Sequence, residues 1–138
     1  MSIIAEDLPT LPELVELYAA VGWTAYSRDE QTLAASVAGS HRVFTARTED
    51  GALLGLARTI SDGATIVYLQ DILVRPDHHR RGIGGALLDR VLGEYGDFRQ
   101  FVLLTDGEPG QVAFYRTRGL TEAHDVASRT VRTYVRLG

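Results

Sequence analysis

Ile72-Leu-Val-Arg-Pro-Asp-His-His-Arg-Arg-Gly-Ile-Gly-Gly-Ala-Leu-Leu88 joins the end of an apolar run to a basic loop, three glycines and the start of an amphipathic stretch. The first backbone N–H groups of a helix have no partner inside it. With the helix dipole they form a receptor for a phosphate or pyrophosphate. Glycine at 82, 84 and 85 lets a ligand approach that backbone, and Arg75, Arg80 and Arg81 gather positive charge in a chain of formal net charge −4. A structural reading, with glycines that merely turn the chain and solvated arginines, stands beside this one. Just upstream, Asp71 interrupts the apolar run Thr65 to Val74, where a carboxylate is costly unless paired or used. Strand alternation places it on the opposite face from Ile72. His78 and His79 read as solvated loop residues. With His41 and His124 they have no ligand spacing, so no metal is expected.

The elements that must position these residues can be read from capping, periodicity and turn chemistry. Thr10-Leu-Pro-Glu13 is a capping box that opens a helix to about Val21, and Ser27-Arg-Asp-Glu30 repeats the signature for a shorter one closed by Gly39. Trp23 and Tyr26 sit on the connection, either packed on the core or touching a substrate. From His41 to Val74 come three strands separated by Glu49-Asp-Gly51 and Ser61-Asp-Gly63, an antiparallel meander. Ile83, Leu87, Val91 and Tyr95 recur every four residues, widened by Leu88 and Leu92, which predicts the best-defined helix of the chain. A buried strand over Phe101 to Thr105, a short helix over Gln111 to Arg118 closed by Gly119, and an alternating strand over Thr130 to Leu137 complete the order ααβββαβαβ. This is an α/β layer fold in one domain, 1–138, without repeats or linkers.

Composition narrows the chemistry. The chain has 138 residues, 45% hydrophobic and 23% charged, ordinary for a globular domain. Cysteine is absent, which removes disulfides, thiolate metal sites and any covalent cysteine intermediate. All 14 basic residues are arginine, so Schiff-base chemistry and the phosphate-loop lysine are unavailable. Net acidity argues against a general nucleic-acid binder. The apolar runs are strand-sized, so no membrane span is expected, and the acidic N-terminus lacks the pattern of a secretory signal, which makes a cytoplasmic protein the expectation.

Arg-Arg-Gly-Ile-Gly-Gly-Ala-Leu-Leu, entered from Ile72-Leu-Val-Arg-Pro, resembles the acetyl-CoA-binding motif of the GNAT superfamily, Gln/Arg-x-x-Gly-x-Gly/Ala, with His79 where the pattern has Gln or Arg. Ala113-Phe-Tyr-Arg-Thr-Arg-Gly-Leu120 resembles the family's second hallmark, and the element order matches along nearly the whole chain. The resemblance implies a mixed, largely antiparallel sheet flanked by helices. It also implies acetyl-CoA as cosubstrate, held at Ile72, Leu73, Val74 and His79 and by the backbone of Arg80, Arg81, Gly82, Ile83, Gly84 and Gly85. Ile72 and Val74 would flank the pantetheine arm and the turn would hold the pyrophosphate. Splayed strands would leave N–H groups for the thioester carbonyl. Tyr115 resembles the usual proton donor to the departing thiolate, with a core aromatic as its other reading. An alkyl amine has a pKa near 10.4 and must lose a proton to react. Asp71 is the first candidate base, with a structural hydrogen-bonding role beside it, and Glu108, where many relatives carry Asn, is the second.

A dinucleotide-binding reading fails in detail. Gly82-Ile-Gly-Gly-Ala-Leu is not G-x-G-x-x-G, and a meander precedes it in place of a βαβ unit. The expected reaction is direct acetyl transfer to a primary amine of a small molecule or peptide. A catalytically weak acyl-CoA-binding or regulatory module on the same fold is the alternative. Gly22-Trp, Asp71-Ile-Leu-Val and the Phe-Tyr segment further resemble plant and cyanobacterial arylalkylamine acetyltransferases. Alternating Val131, Thr133, Val135 and Leu137 suggest a homodimer through the last strand.

Overall fold

The computed structural model describes residues 2–24 and 28–138, and these divide into two compact units, 1–104 and 105–138. In the first, Thr10 caps α1 (Leu11–Ala20) as its sequence predicts. Its hydroxyl accepts from the Glu13 N–H at 3.3 Å while Glu13 Oε1 accepts from the Thr10 N–H at 2.9 Å. The second helix, α2 (Glu30–Ala38), is capped by Asp29, whose carboxylate accepts from the Thr32 N–H at 3.1 Å. The predicted capping residue Ser27 lies outside the described residues.

The sheet contains β1 (Ile3–Glu6), β2 (Arg42–Arg47), β3 (Leu53–Ser61), β4 (Ile66–Val74) and β5 (Gln100–Leu103) in the order β1-β2-β3-β4-β5. All pairs are antiparallel except β4–β5. That parallel pair needs a crossover, supplied by α3 (Ile83–Glu94). Residues 53–59 of β3 are buried without a break, the mark of a strand covered on both faces. Leu14, Leu17, Tyr18, Leu33 and Val37 of α1 and α2 pack with Val43, Leu56 and Leu73 on one face. On the other, α3 lies across β2, β3 and β4 with Ile83, Leu87, Leu88 and Val91 buried.

The mixed, largely antiparallel α/β architecture is the one expected, with two strand-level differences. β1 was not foreseen, because Ile3-Ile-Ala-Glu6 is too short to show alternation and becomes a strand only by pairing with β2. Thr130 to Leu137, expected as a strand, joins no sheet among the described residues. β5 is also less buried than its composition suggests, since it stands at the sheet edge and leaves Val102 exposed. The second unit carries α4 (Pro109–Arg116), followed by Gly119 at φ 84°.

At Gly55 there is no room for a side chain between β3, β4 and α3. A Cβ there would lie 2.8 Å from the Leu73 carbonyl oxygen and 3.2 Å from Leu87 Cδ1. We expect Gly55→Ala to destabilise the protein by about 1–3 kcal/mol through this overpacking. Denaturant midpoints measure it, and unchanged stability would mean that the two strands separate freely here.

Candidate functional site

Along β4 the side chains alternate, with Val67, Leu69, Asp71 and Leu73 buried and Tyr68, Gln70, Ile72 and Val74 half-buried. The β4–β5 ladder ends at Leu69 and Leu103, whereas β4 stays paired with β3 as far as Val74. Gln70 is the extra residue of a bulge, because Thr59 pairs with Leu69 and Arg58 with Asp71. Bulges bend a strand and strengthen its twist, and this one falls where the two strands part. From Gln70 to Val74 the backbone groups on the β5 side lie outside any ladder among the described residues. Ile72 and Val74 therefore flank an open strand edge, while the Leu73 side chain belongs to the core.

Beyond Val74 the chain is pinned before it turns. The Arg75 N–H donates to the Leu54 carbonyl at 2.8 Å, its Nε donates to the Leu53 carbonyl at 2.7 Å, and its guanidinium pairs with Glu16. Arg75 is thus committed to the protein, unlike the exposed Arg80 and Arg81. A 3₁₀ turn at Pro76–His78 follows. His79 Nε2 lies 3.0 Å from the Val74 carbonyl. A carbonyl only accepts, so Nε2 carries the proton and His79 ties the turn to the strand end.

Arg80 at φ 67° and Gly82 at φ 78° both adopt left-handed backbone, which for arginine is uncommon. Gly82 is the N-cap of α3 and no side chain caps that helix. The Ala86 N–H donates to the Gly82 carbonyl at 3.0 Å, the first turn of the helix ladder. No acidic residue lies in the first turn. The N–H groups of Ile83, Gly84 and Gly85 together with the helix dipole therefore face anionic ligands without competition. These residues fit a pyrophosphate. Ile83 could offer such a ligand its backbone alone, because its side chain is in the core.

Asp71 is 3% exposed. Its Oδ2 accepts from Arg58 Nε at 2.5 Å and from the Tyr18 hydroxyl at 2.8 Å. Arg58, also buried, reaches the Ser36 carbonyl at 3.2 Å and Ser40 Oγ at 3.3 Å. Burial works against the Arg58 charge, yet the Asp71 carboxylate outweighs it and holds the guanidinium above its ordinary pKa. Burial first, and then the Asp71 charge, push Tyr18 far above the tyrosine range. The cluster joins α1, α2, β3 and β4. Tyr18 and Arg58 escaped sequence reasoning because each lies in an apolar stretch whose pattern is satisfied without it. An acid and an arginine interrupting adjacent predicted strands was the available signal. Trp23, 37% exposed, sets its ring against Tyr18 at 6.0 Å between centroids. Tyr26 lies outside the described residues.

In the second unit, Tyr115 sits in the last turn of α4, half-buried and edge-on to Phe114 at 5.0 Å. Its hydroxyl makes no hydrogen bond among the described residues. Burial, and then the charge of Asp106, raise its pKa above the ordinary value of 10.0, so it keeps its proton at neutral pH. Glu108 is the N-cap of α4 but offers no side-chain cap. Its backbone N–H donates to Asp106 Oδ1 at 3.1 Å, and its carboxylate is exposed. Glu122, His124 and Asp125 cluster on the surface, where Arg116 already bonds both carboxylates. Among the described residues no helix is long and apolar enough to cross a membrane.

Residues 8–120 match the acetyltransferase (GNAT) family. A GNAT-family acetyltransferase protein of Streptococcus pneumoniae superposes with a TM-score of 0.81 at 30% identity, covering 99% of this chain and 98% of that one. The ribosomal-protein-S18-alanine N-acetyltransferase of Escherichia coli gives 0.73 at 26% identity over 89% and 79%. A mycothiol acetyltransferase of Kineococcus radiotolerans is 39% identical over 83 residues, 58% of this chain, and the match spans about a quarter (27%) of that relative's length. The resemblance to plant and cyanobacterial arylalkylamine enzymes finds no support among these relatives.

Proposed function

Because the chain belongs to the acetyltransferase (GNAT) family, we propose that it binds acetyl-CoA at the glycine turn and transfers the acetyl group directly to a primary amine of a small molecule or peptide. The observation that carries this reading is the uncapped start of α3, entered through left-handed Arg80 and Gly82 beside the unladdered end of β4. Backbone N–H groups from Arg80 to Gly85 hold the diphosphate, with the exposed Arg80 and Arg81 adding charge. Ile72 and Val74 line the pantetheine arm. Free N–H groups of the β4 edge receive the negative charge that develops on the thioester oxygen.

Tyr115 is the proposed proton donor, since its hydroxyl is unbonded and protonated at neutral pH. Asp71 is given a positioning role. Its carboxylate is already shared by Arg58 and Tyr18, so it holds β4 in place while an ordered water or Glu108 takes the proton of the amine. Support for an amine acceptor comes from relatives, one of which is named for the alanine of a ribosomal protein.

Release of free CoA thiol, measured with a panel of primary amines and peptide N-termini, tests the proposal. Amine-dependent release is expected. Tight acetyl-CoA binding with no release above hydrolysis would make the chain a binding module instead. Within the enzyme reading, Tyr115→Phe keeps the ring and removes the proton. Positioned acid catalysis contributes ~10²- to 10⁴-fold, and a thiolate leaves readily, so kcat should fall by about 10²-fold with the KM for acetyl-CoA little changed. A wild-type rate would return Tyr115 to packing.

A further inference from the structure

We propose that Gln70 selects the acceptor, and that its carboxamide takes a primary amine with a carbonyl or hydroxyl oxygen on the carbon next to the one that bears the nitrogen, as in a peptide N-terminus or an amino alcohol. The inference rests on the acyl-transfer reading and deepens it. Gln70 is the extra residue of the β4 bulge and pairs with no residue of β3 or β5. Its side chain is half-buried. Among the described residues it bonds no other group, and none of their buried side-chain nitrogens or oxygens lacks a partner. The amide therefore opens onto accessible space. Its neighbour Asp71 is the contrast, with a carboxylate committed to Arg58 and Tyr18. A half-buried amide in a largely apolar strand loses hydration without gaining a bond unless a ligand supplies one.

The place of Gln70 along β4 gives that ligand a role. Ile72 and Val74 guide the pantetheine arm along the unladdered edge from Val74 toward Gln70, about 13 Å at roughly 3.3 Å per residue. β5 closes this edge where it joins β4 at Leu69 and Leu103. The thioester therefore comes to rest beside Gln70, and the attacking amine meets it there. A carboxamide presents an acceptor, Oε1, next to a donor, Nε2. Oε1 accepts one N–H of the amine and leaves the nitrogen lone pair free for the thioester carbon. Nε2 donates to the oxygen on the adjacent carbon. An amine without that oxygen leaves the donor unused, which is how a polar site discriminates against an apolar analogue. Being neutral, the amide takes no proton in the reaction.

The test is kcat/KM for glycinamide, ethanolamine and propylamine with acetyl-CoA, three amines that differ in the neighbouring group. Gln70→Met keeps the length of the side chain and removes both contacts, whereas Gln70→Glu keeps the acceptor and removes the donor. Relative to propylamine, glycinamide or ethanolamine should lose about 10-fold in both variants. Which of the two loses more distinguishes a peptide N-terminus from an amino alcohol. Differences in amine basicity cancel between proteins, and a ratio of two acceptors on one preparation does not depend on how much of it is folded. With CoA in place of acetyl-CoA nothing turns over. The side-chain amide resonance of Gln70, assigned by its loss in Gln70→Met, should then shift with the preferred acceptor and not with propylamine. Equal acceptor ratios in the three proteins, or a resonance that no acceptor moves or that all move alike, would overturn the role of Gln70 and leave acetyl transfer standing. Absence of thiol release with every amine would instead overturn acetyl transfer itself, and this inference with it.

Discussion

Gly84→Asp is expected to raise the dissociation constant for acetyl-CoA by at least ~10²-fold while leaving the fold as stable as before. Gly84 is the second residue of α3, after the left-handed cap Gly82. An aspartate near a helix N-terminus interacts favourably with the dipole, by about 0.3–1 kcal/mol, and glycine is itself a poor helix residue. The substitution therefore suits the helix. Its effect on the ligand has the opposite sign. The new carboxylate occupies the receptor meant for the diphosphate, and two unit charges ~4 Å apart repel by about 4 kcal/mol at an effective dielectric of 20. Gly84→Asn supplies similar bulk without charge and should lose less affinity. Calorimetric titration with acetyl-CoA, beside thermal melts of the same preparations, measures both quantities. Unchanged affinity in a folded Gly84→Asp protein would remove the glycine turn from the donor site.

The turn was legible in the sequence because its features are local. Glycines, arginines and a helix start follow one another within a few residues, and the family motif is defined on that stretch. The meander and α3 were legible for the same reason, since turn residues and four-residue periodicity need no distant partner. Long-range pairing was not. β1 depends on β2, β4 parts from β5 beside a bulge at Gln70 that only the pairing with β3 reveals, and the surroundings of Asp71 depend on Arg58, thirteen residues away, and on Tyr18, fifty-three residues away. The arm at 130–137 shows the converse. Its strand pattern is unmistakable in sequence, yet among the described residues it joins no sheet, because a strand forms only by pairing and pairing is not written in the local pattern. His79 shows a third kind of difference. It departs from the family's Gln or Arg, and its ring bonds the Val74 carbonyl instead of standing free for a ligand.

Asp71→Asn should destabilise the protein by about 3–5 kcal/mol, because it leaves the buried Arg58 guanidinium without its counter-charge. Side chains on both sides of the pair are almost wholly buried, at 6% and 2% exposure, so solvent does little to screen the loss. At roughly 2.1 cal/mol/K of unfolding entropy per residue over 138 residues, this corresponds to a fall in Tm of about 10–17 °C. Replacing both partners by apolar groups of similar size, Asp71→Leu with Arg58→Met, should recover part of that loss, since the desolvation cost of both ions vanishes with them. Such recovery is the signature of a structural pair. Turnover separates this role from that of a general base. If Asp71 only holds β4, Asp71→Asn measured well below its Tm should retain most of its kcat, and the pH profile of kcat/KM should keep the shape of the wild type. If Asp71 instead takes the proton of the amine, Asp71→Asn should lose kcat by ~10²- to 10⁴-fold even where fully folded, and the double variant should not recover it. A stable, folded Asp71→Asn protein with that kinetic loss would return Asp71 to the chemistry and leave Arg58 and Tyr18 as the groups that orient it.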